Sequence, residues 1–576
     1  MSKQQIIQDE KLPEISEQIF ATTRIELSNR AGKRIVAYLD VPKAADPAGL
    51  VLIPPAYGDI KENYLFVSAY FAVNGFQCIR FDWTDHVGES EGDIFVATLT
   101  KMKDDFVGLL EYAERRWPSM DTGIVATSLA GRVALKVASV DPRVKFLVLM
   151  APVVNLQATL HAVYREDLVC NYLGGKRYGA LDVLGFPINA DGFLGDAAQG
   201  SFSTLSSAIE DAGKVRVPTA VFVGARDHWV RLDEAQSTFH AVSCPGKEFV
   251  VFPNALHRFS ENPDILDSVI REAVQFAAGH LERNGSKFVD VSQPDFKLVQ
   301  AREAAERGFL KNVYEYSKAE ERDFWKKYLS RFQYIINIHD YWDLLALLYK
   351  LLGDAWPGQK ILDAGCGNGN YGLFLVSKQL YRLSQNAHCL TDPPVSYVAA
   401  DFIQDALQEA SRKLNAVEME FKKTRGLTFR TPGFVESNFI LSDLETGIPF
   451  ADNIFDQICC NLVVSYLRDP GKAIEEFRRV LRPGGKIVIS SLKPDTDLSE
   501  VYRNFVSVAE NETQIEEARQ LLSNSGMIKL KEVRGIYHFF SEKELRALMR
   551  QAGFNRTKVF RSFGDQANVA FAEKAL

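Results

Sequence analysis

Three side chains in the first half of the sequence have the types and order that nucleophilic acyl chemistry needs. Ser128 stands in Ala126-Thr127-Ser128-Leu129-Ala130, Asp227 in GARDHW and His257 in NALHRF. A serine hydroxyl attacks poorly until a base takes its proton. An imidazole can do that near neutral pH and return the proton to the leaving group, while a carboxylate fixes the imidazole tautomer and stabilises its charged form. The oxyanion made on the attacked carbonyl needs backbone donors. The N–H of Leu129, at a helix start, is expected to be one, and the N–H of Tyr57 in the loop IPPAYGD the other.

A second group lies in KILDAGCGNGNYGLFL, where Asp363 ends an apolar run and Gly365, Gly367 and Gly369 follow at alternate positions. Glycines so placed permit positive φ in a tight turn and let a ligand approach bare backbone. Asp401 ends VSYVAAD. Asp443 ends GFVESNFILSD and is followed by Leu444, and Asn461 follows FDQICC.

All of these residues sit at the ends of short apolar runs, and the runs alternate with amphipathic stretches. That rhythm argues for mainly parallel sheets covered by helices on both faces, an α/β architecture. In the first series the runs are GLVLIPPAY, FQCIRFDW, TGIVATS, VKFLVLMAP, TAVFVGA and EFVVFPNA; a different series begins at KILDAGCG. The boundaries expected are a first domain over 1–284 with a cap over about 153–214, a linker over 285–299, and a second domain over 300–576. The second domain should open with a helical lid over about 300–355, made aromatic by residues such as Tyr314, Phe324, Trp325, Tyr334 and Tyr341. His339 and His538 are read as structural, as are His86 and His228, and no base for the second half is assigned.

The first series, about residues 20–275, resembles the α/β-hydrolase superfamily and, more closely, the acyl-carrier-protein thioesterases and acyltransferases of bacterial luminescence. The resemblance rests on A-T-S-L-A-G-R-V-A around Ser128, on FDWTDHVGESEG over 81–92, and on Val153 to Leu156 after a strand. Small residues other than glycine flank the nucleophile in that branch. The resemblance implies a small-molecule acyl substrate carried as a thioester on an acyl carrier protein.

The second series, about 356–576, resembles the class I S-adenosylmethionine-dependent methyltransferases, with their Rossmann-like sheet. FRRVLRPGGKIVISS and YHFFSEKELRALMRQAGF fall in the order that family shows. On this resemblance S-adenosyl-L-methionine is the cofactor. Backbone around Gly365, Gly367 and Gly369, after Asp363, would face its methionine portion. Asp401 would accept the ribose hydroxyls, Asp443 and the Leu444 backbone would meet the adenine, and Asn461 would lie alongside. Asp363 and Asp401 stand farther apart than the ~20 residues usual for such a pair; the excess sits in LYRLSQNAHCLTDPPVS.

A net charge of −7 over 576 residues gives no support to a nucleic-acid or membrane partner. The polar start lacks a signal-peptide core, no run is apolar and long enough to span a bilayer, and 7 scattered cysteines without a C-x-x-C suggest no metal site. A cytoplasmic, bifunctional enzyme of acyl or polyketide-type secondary metabolism is expected: a thioesterase or acyltransferase fused to a methyltransferase. Release of a carboxylate followed by its methylation is one order of events; methylation of O, N or C on the carrier-bound chain is another. A first half that only docks a carrier protein, or that is a simple ester hydrolase, stays open, as does the oligomeric state.

Overall fold

A computed structural model describes residues 20–43, 46–280, 290–313, 317–385, 393–426 and 435–576. Tyr314, the first part of the expected linker and part of the inserted stretch after Asp363 lie outside the described residues, as does the side chain of Tyr334. The chain divides into two compact units, Met1–Val313 with Ser525–Gly535, and Tyr314–Asn524 with Ile536–Leu576.

The first unit is built on an eight-stranded sheet. Its strands are β1 (Phe20–Ser28), β2 (Arg34–Pro42), β3 (Leu50–Ile53), β4 (Gln77–Phe81), β5 (Thr122–Thr127), β6 (Val144–Met150), β9 (Thr219–Gly224) and β10 (Lys247–Phe252), in the order β1-β2-β4-β3-β5-β6-β9-β10. Between β6 and β9 the strands β7 (Ala180–Val183) and β8 (Phe186–Asn189) pair as a separate antiparallel hairpin. The β1/β2 and β2/β4 pairs are antiparallel, and every pair from β4 to β10 is parallel. Leu50–Ile53 and Gln77–Phe81 are buried at every position. Near-continuous burial is what a parallel strand covered on both faces requires.

The segment after β6 begins with the helix Leu156–Tyr164, whose N-cap Asn155 accepts the Ala158 N–H at 3.2 Å. Its last helix, Leu205–Lys214, differs from the expected cap. Asp211 on it forms an ion pair with Arg132 at 2.9 Å and accepts from Lys136 at 3.0 Å, both on the helix after Ser128, so it covers the sheet. A second difference concerns the expected lid. The helix Phe296–Val313 belongs to the first unit, where its Glu306 meets the fully buried guanidinium of Arg80 at 3.1 Å.

The second unit holds β11 (Lys360–Ala364), β12 (Val395–Asp401), β13 (Val435–Leu441), β14 (Phe455–Cys460), β15 (Leu481–Leu492), β16 (Lys558–Ser562) and β17 (Ala567–Glu573), in the order β13-β12-β11-β14-β15-β17-β16. Pairs from β13 to β15 are parallel, and β17 runs antiparallel to both its neighbours. The helix Glu542–Gln551 precedes the last two strands and starts with a capping box between Ser541 and Glu544. The strand order reverses at β11, between β12 and β14. In a doubly wound sheet ligands bind beyond the carboxyl ends of the strands at such a point.

Candidate active sites

Ser128 sits between β5 and the helix Leu129–Ala138 with φ +56 and ψ −128. A non-glycine residue held in that region is strained, and the surroundings enforce it. The Ser128 N–H donates to Met150 O at 3.0 Å, and Ser128 O accepts the N–H groups of Gly131 and Val153, each at 3.0 Å. Ala126 and Ala130 are fully buried on either side. The glycines of this stretch serve its packing. A Cβ on Gly123 would overlap the Phe146 ring at 2.1 Å, and one on Gly131 would stand 3.0 Å from Pro152 Cβ.

Ser128 Oγ is 2.8 Å from His257 Nε2, and His257 Nδ1 is 2.7 Å from Asp227 Oδ2. The other Asp227 oxygen accepts the N–H groups of Trp229 at 2.8 Å and Val230 at 2.9 Å, which locks the carboxylate in place. The residues are 129 and 30 positions apart along the chain; β5, β9 and β10 bring them together because each lies just past a carboxyl end. A hydroxyl, an imidazole and a buried carboxylate joined this way can move a proton from oxygen to ring nitrogen and hold the charge that results.

Leu129 is the first residue of its helix, so its N–H has no acceptor within that helix. Tyr57 lies in the loop after β3. Trp83 Nε1 donates to Pro55 O at 2.8 Å, the Ala56 N–H donates to Tyr64 Oη at 2.8 Å, and the Gly58 N–H donates to His86 Nε2 at 3.3 Å. The Tyr57 ring meets His86 edge-on at 5.4 Å and Phe186 of β8 at 6.0 Å. Burial alone pushes the His86 pKa down to about 3, so its ring is neutral and can accept that N–H.

In the second unit Gly365, Gly367 and Gly369 all have positive φ, at +76, +51 and +80. A Cβ on Gly365 would overlap Val463 at 2.5 Å and one on Gly369 would overlap Ala410 at 2.6 Å. A Cβ on Gly367 would meet only Leu329 Cδ2, at 3.3 Å. The outer glycines are therefore hemmed in by packing and the central one is not. Asp401 reaches this loop despite the long connection before it: Oδ2 accepts the Gly367 N–H at 2.8 Å and Oδ1 the Ile403 N–H at 2.9 Å. Burial raises its pKa, and the backbone N–H groups oppose that.

Asp363 Oδ2 accepts Tyr397 Oη–H at 2.6 Å, and burial, which that bond opposes, pushes its pKa up to about 7. Asp443 accepts Lys318 Nζ at 2.9 Å and the Glu445 N–H at 3.0 Å. Partial burial would raise its pKa, but these bonds outweigh it and hold the carboxyl below the usual range. Leu444 is buried in the sheet's core. Asn461 donates to Tyr341 Oη at 3.3 Å and accepts from Ser490 Oγ at 2.7 Å.

Residues that the sequence reading passed over also meet here. Asn370, which opens the helix after the glycines, is buried with both side-chain polar atoms lacking a hydrogen bond. Lys318 and Leu329, on the helix Lys318–Phe332, reach Asp443 and Gly367 and make that helix a cover for the loop. His339 is exposed beside Asp343 at 3.2 Å, and His538 stands 3.5 Å from Glu544. Among the described residues no cluster of three or more His, Cys, Asp or Glu could hold a metal, and no helix is long and apolar enough to cross a membrane.

Residues 32–315 match the acyl transferase family model, and residues 356–553 match that of a methyltransferase domain. Similar proteins include the acyl transferase of Vibrio campbellii, 27% identical over 285 residues that make up 48% of this chain and 90% of that protein. The acyl transferase of Photorhabdus luminescens is 25% identical over 281 residues, 48% of this chain and 89% of that one. Among solved structures, the esterase domain of a Rhodothermus marinus protein is 21% identical, covering 45% of this chain and 99% of that chain with a TM-score of 0.35. The chain thus joins a first half similar to the acyl transferase family to a second half similar to a methyltransferase domain.

Proposed function

We propose that the first half transfers or hydrolyses acyl groups through Ser128, and that the second half methylates the same or a related metabolite. The observation that carries the first reading is the unbroken chain Ser128–His257–Asp227. His257 Nε2 takes the hydroxyl proton as Ser128 Oγ attacks the acyl carbonyl, and Asp227 stabilises the imidazolium. The Leu129 and Tyr57 N–H groups receive the oxyanion. His257 returns the proton to the departing thiol, then deprotonates water or another acceptor that releases the acyl group. Likeness to acyl transferases supports an acyl substrate, and a thioester on an acyl carrier protein is the substrate proposed.

For the second half the residues fit S-adenosyl-L-methionine. The space over Gly367, where an added Cβ would meet only Leu329, and the buried amide of Asn370, whose polar atoms lack a hydrogen bond, support a polar ligand here. The loop Gly365–Gly369 would hold the methionine portion, Asp401 the ribose, and Asp443 with Leu444 the adenine, with Asn461 beside them. When bound, the cofactor supplies an activated methyl group. The protein holds acceptor and methyl aligned and keeps water out. A cytoplasmic place in acyl or polyketide-type secondary metabolism goes with this reading.

Intact-mass measurement on His257→Ala mixed with an acyl thioester, with Ser128→Ala as control, tests the first half. An acyl adduct that Ser128→Ala lacks is expected. No adduct, together with unchanged thioester turnover in Ser128→Ala and Asp227→Asn, would leave the unit a carrier-docking scaffold. Faster turnover of simple esters than of thioesters would make it an ester hydrolase. Calorimetric titration with S-adenosyl-L-methionine tests the second half.

A further inference from the structure

The first half of the sequence does not supply all of the first unit. Ser525–Gly535, the end of the helix Glu512–Val533 and the turn after it, groups with the residues up to Val313. Gly535, at φ +70, closes this segment against the helix Phe296–Val313, where a Cβ would stand 2.7 Å from Arg307 O. Gly526 meets the hairpin of β7 and β8. A Cβ there would overlap Leu184 O and stand 3.1 Å from Gly185 Cα. Only a residue without a side chain lets the two backbones lie so close.

The hairpin turn is shaped for that approach. Val183 pairs with Phe186, so Leu184 and Gly185 make the turn, at φ +52 and +94. Positive φ at both positions marks the type I′ turn that matches strand twist. Its first position favours asparagine, aspartate or glycine, and leucine there is strained. A strained residue persists where its surroundings over-determine it, and the Gly526 backbone is one such surrounding. Asp182 Oδ1 is another, since it accepts the Gly185 N–H at 2.9 Å.

Beyond the turn the hairpin bears on the loop that carries Tyr57. Phe186 is 6% exposed, its ring stands edge-on 6.0 Å from that of Tyr57, and a Cβ on Gly58 would overlap it. The Tyr164 hydroxyl donates to Asp182 O and ties the hairpin to the helix Leu156–Tyr164. β3 and β5 are parallel neighbours with Leu52 beside Ile124, so the loop after Ile53 leaves the sheet next to the turn that bears Ser128.

We propose that Ser525–Gly535 is a positioning segment of the acyl site. Gly526 sets the Leu184–Gly185 turn, the turn sets Phe186, and Phe186 holds the Tyr57–Gly58 backbone where it meets the oxyanion. This rests on the acyl-transfer reading above. The acyl reaction then needs sequence from both halves of the chain. An oxyanion donor acts on charge that develops only after attack, so its misplacement costs the transition state more than the bound thioester.

The test uses the full-length protein and an acyl thioester. Gly526→Ala should lower kcat about tenfold or more while KM stays within about twofold. A trifluoromethyl ketone of the same acyl chain, whose adduct on Ser128 also needs the oxyanion donors, should bind more weakly by the factor that kcat/KM loses. Amides of the β7–β8 hairpin should exchange hydrogen faster. Gly535→Ala disturbs the same segment at Arg307, away from the hairpin, and should lower the unfolding midpoint while kcat stays within about twofold. The proposal is overturned if Gly526→Ala keeps its kcat or its hairpin protection, or if Gly535→Ala loses kcat as far as Gly526→Ala does. Unchanged thioester turnover in Ser128→Ala would instead overturn the acyl reading, and the exchange measurement would still judge the brace.

Discussion

His86 braces the loop that carries Tyr57. It is buried, its Nε2 accepts the Gly58 N–H, and its ring packs on Tyr57, whose N–H is the proposed second oxyanion donor. Its pKa falls from 6.5 to about 3 in the fold because burial disfavours the imidazolium. A depressed histidine pKa means that the unfolded chain binds the proton first. The stability it contributes is full above pH 6.5 and is lost as pH falls toward 3. From pH 7.5 to pH 5 that loss is about 2 kcal/mol. His86→Gln keeps an acceptor for Gly58 and does not titrate, so its unfolding midpoint should fall less over this range. Equal slopes in denaturant titrations of the two proteins would contradict the account. The sequence allowed His86 to be read as structural but did not show its partner, because Gly58 lies 28 residues away across the sheet edge. Ser128, Asp227 and His257, which the structure joins by hydrogen bonds, could be singled out because each stands within a few residues of the end of an apolar strand run. Lys318 was not, since nothing local links it to Asp443, 125 residues on.

Two elements, the turn after β5 and the turn after β11, use small residues for different reasons. Around Ser128 the need is room for packing, and alanine already meets it. Ala130→Gly, which would complete half of the G-x-S-x-G pattern, should cost about 1 kcal/mol of helix stability and leave thioester turnover unchanged. A rise in turnover would mean that the alanines restrain the nucleophile. Gly131→Ala should be worse, at about 1–3 kcal/mol, because the new methyl meets Pro152 at 3.0 Å. In the turn after β11 all three glycines have positive φ, yet only two are hemmed in. Gly365→Ala should destabilise the second unit strongly through Val463. Gly367→Ala should cost the fold only the backbone strain of about 1–2 kcal/mol and lose cofactor affinity by more than its loss of stability. Comparing unfolding midpoints with calorimetric Kd separates the two. Alternating glycines announced this turn in the sequence, whereas which of them faces a ligand depends on Val463, Ala410 and Leu329, supplied by three other elements.

For the molecule as a whole, the chain's path between its two α/β units was the least legible part of the sequence. Helical periodicity over 300–313 looks the same whether the helix covers one sheet or the other, and the choice is made by a buried charge. Arg80 is fully buried and gives Asp40 two bonds, at 2.7 and 3.2 Å, and Glu306 two at 3.1 Å, and Glu306 also accepts Arg302 at 3.1 Å. Arg80 and Glu306 lie 226 residues apart, so the pairing has no local signature. We accordingly propose a domain boundary after Val313 rather than at 300. Removing one partner of a buried pair leaves the other charge desolvated, a loss of about 3–5 kcal/mol. Glu306→Ala should therefore lower the calorimetric transition in which the first unit unfolds, together with loss of thioester turnover on heating. S-adenosyl-L-methionine should still raise the other transition to the same temperature in the variant as in the unaltered protein, since a ligand stabilises only the fold that binds it. If Glu306→Ala instead lowered the cofactor-responsive transition and spared the other, the helix would belong with the lid, and Arg80 would be satisfied by Asp40 alone.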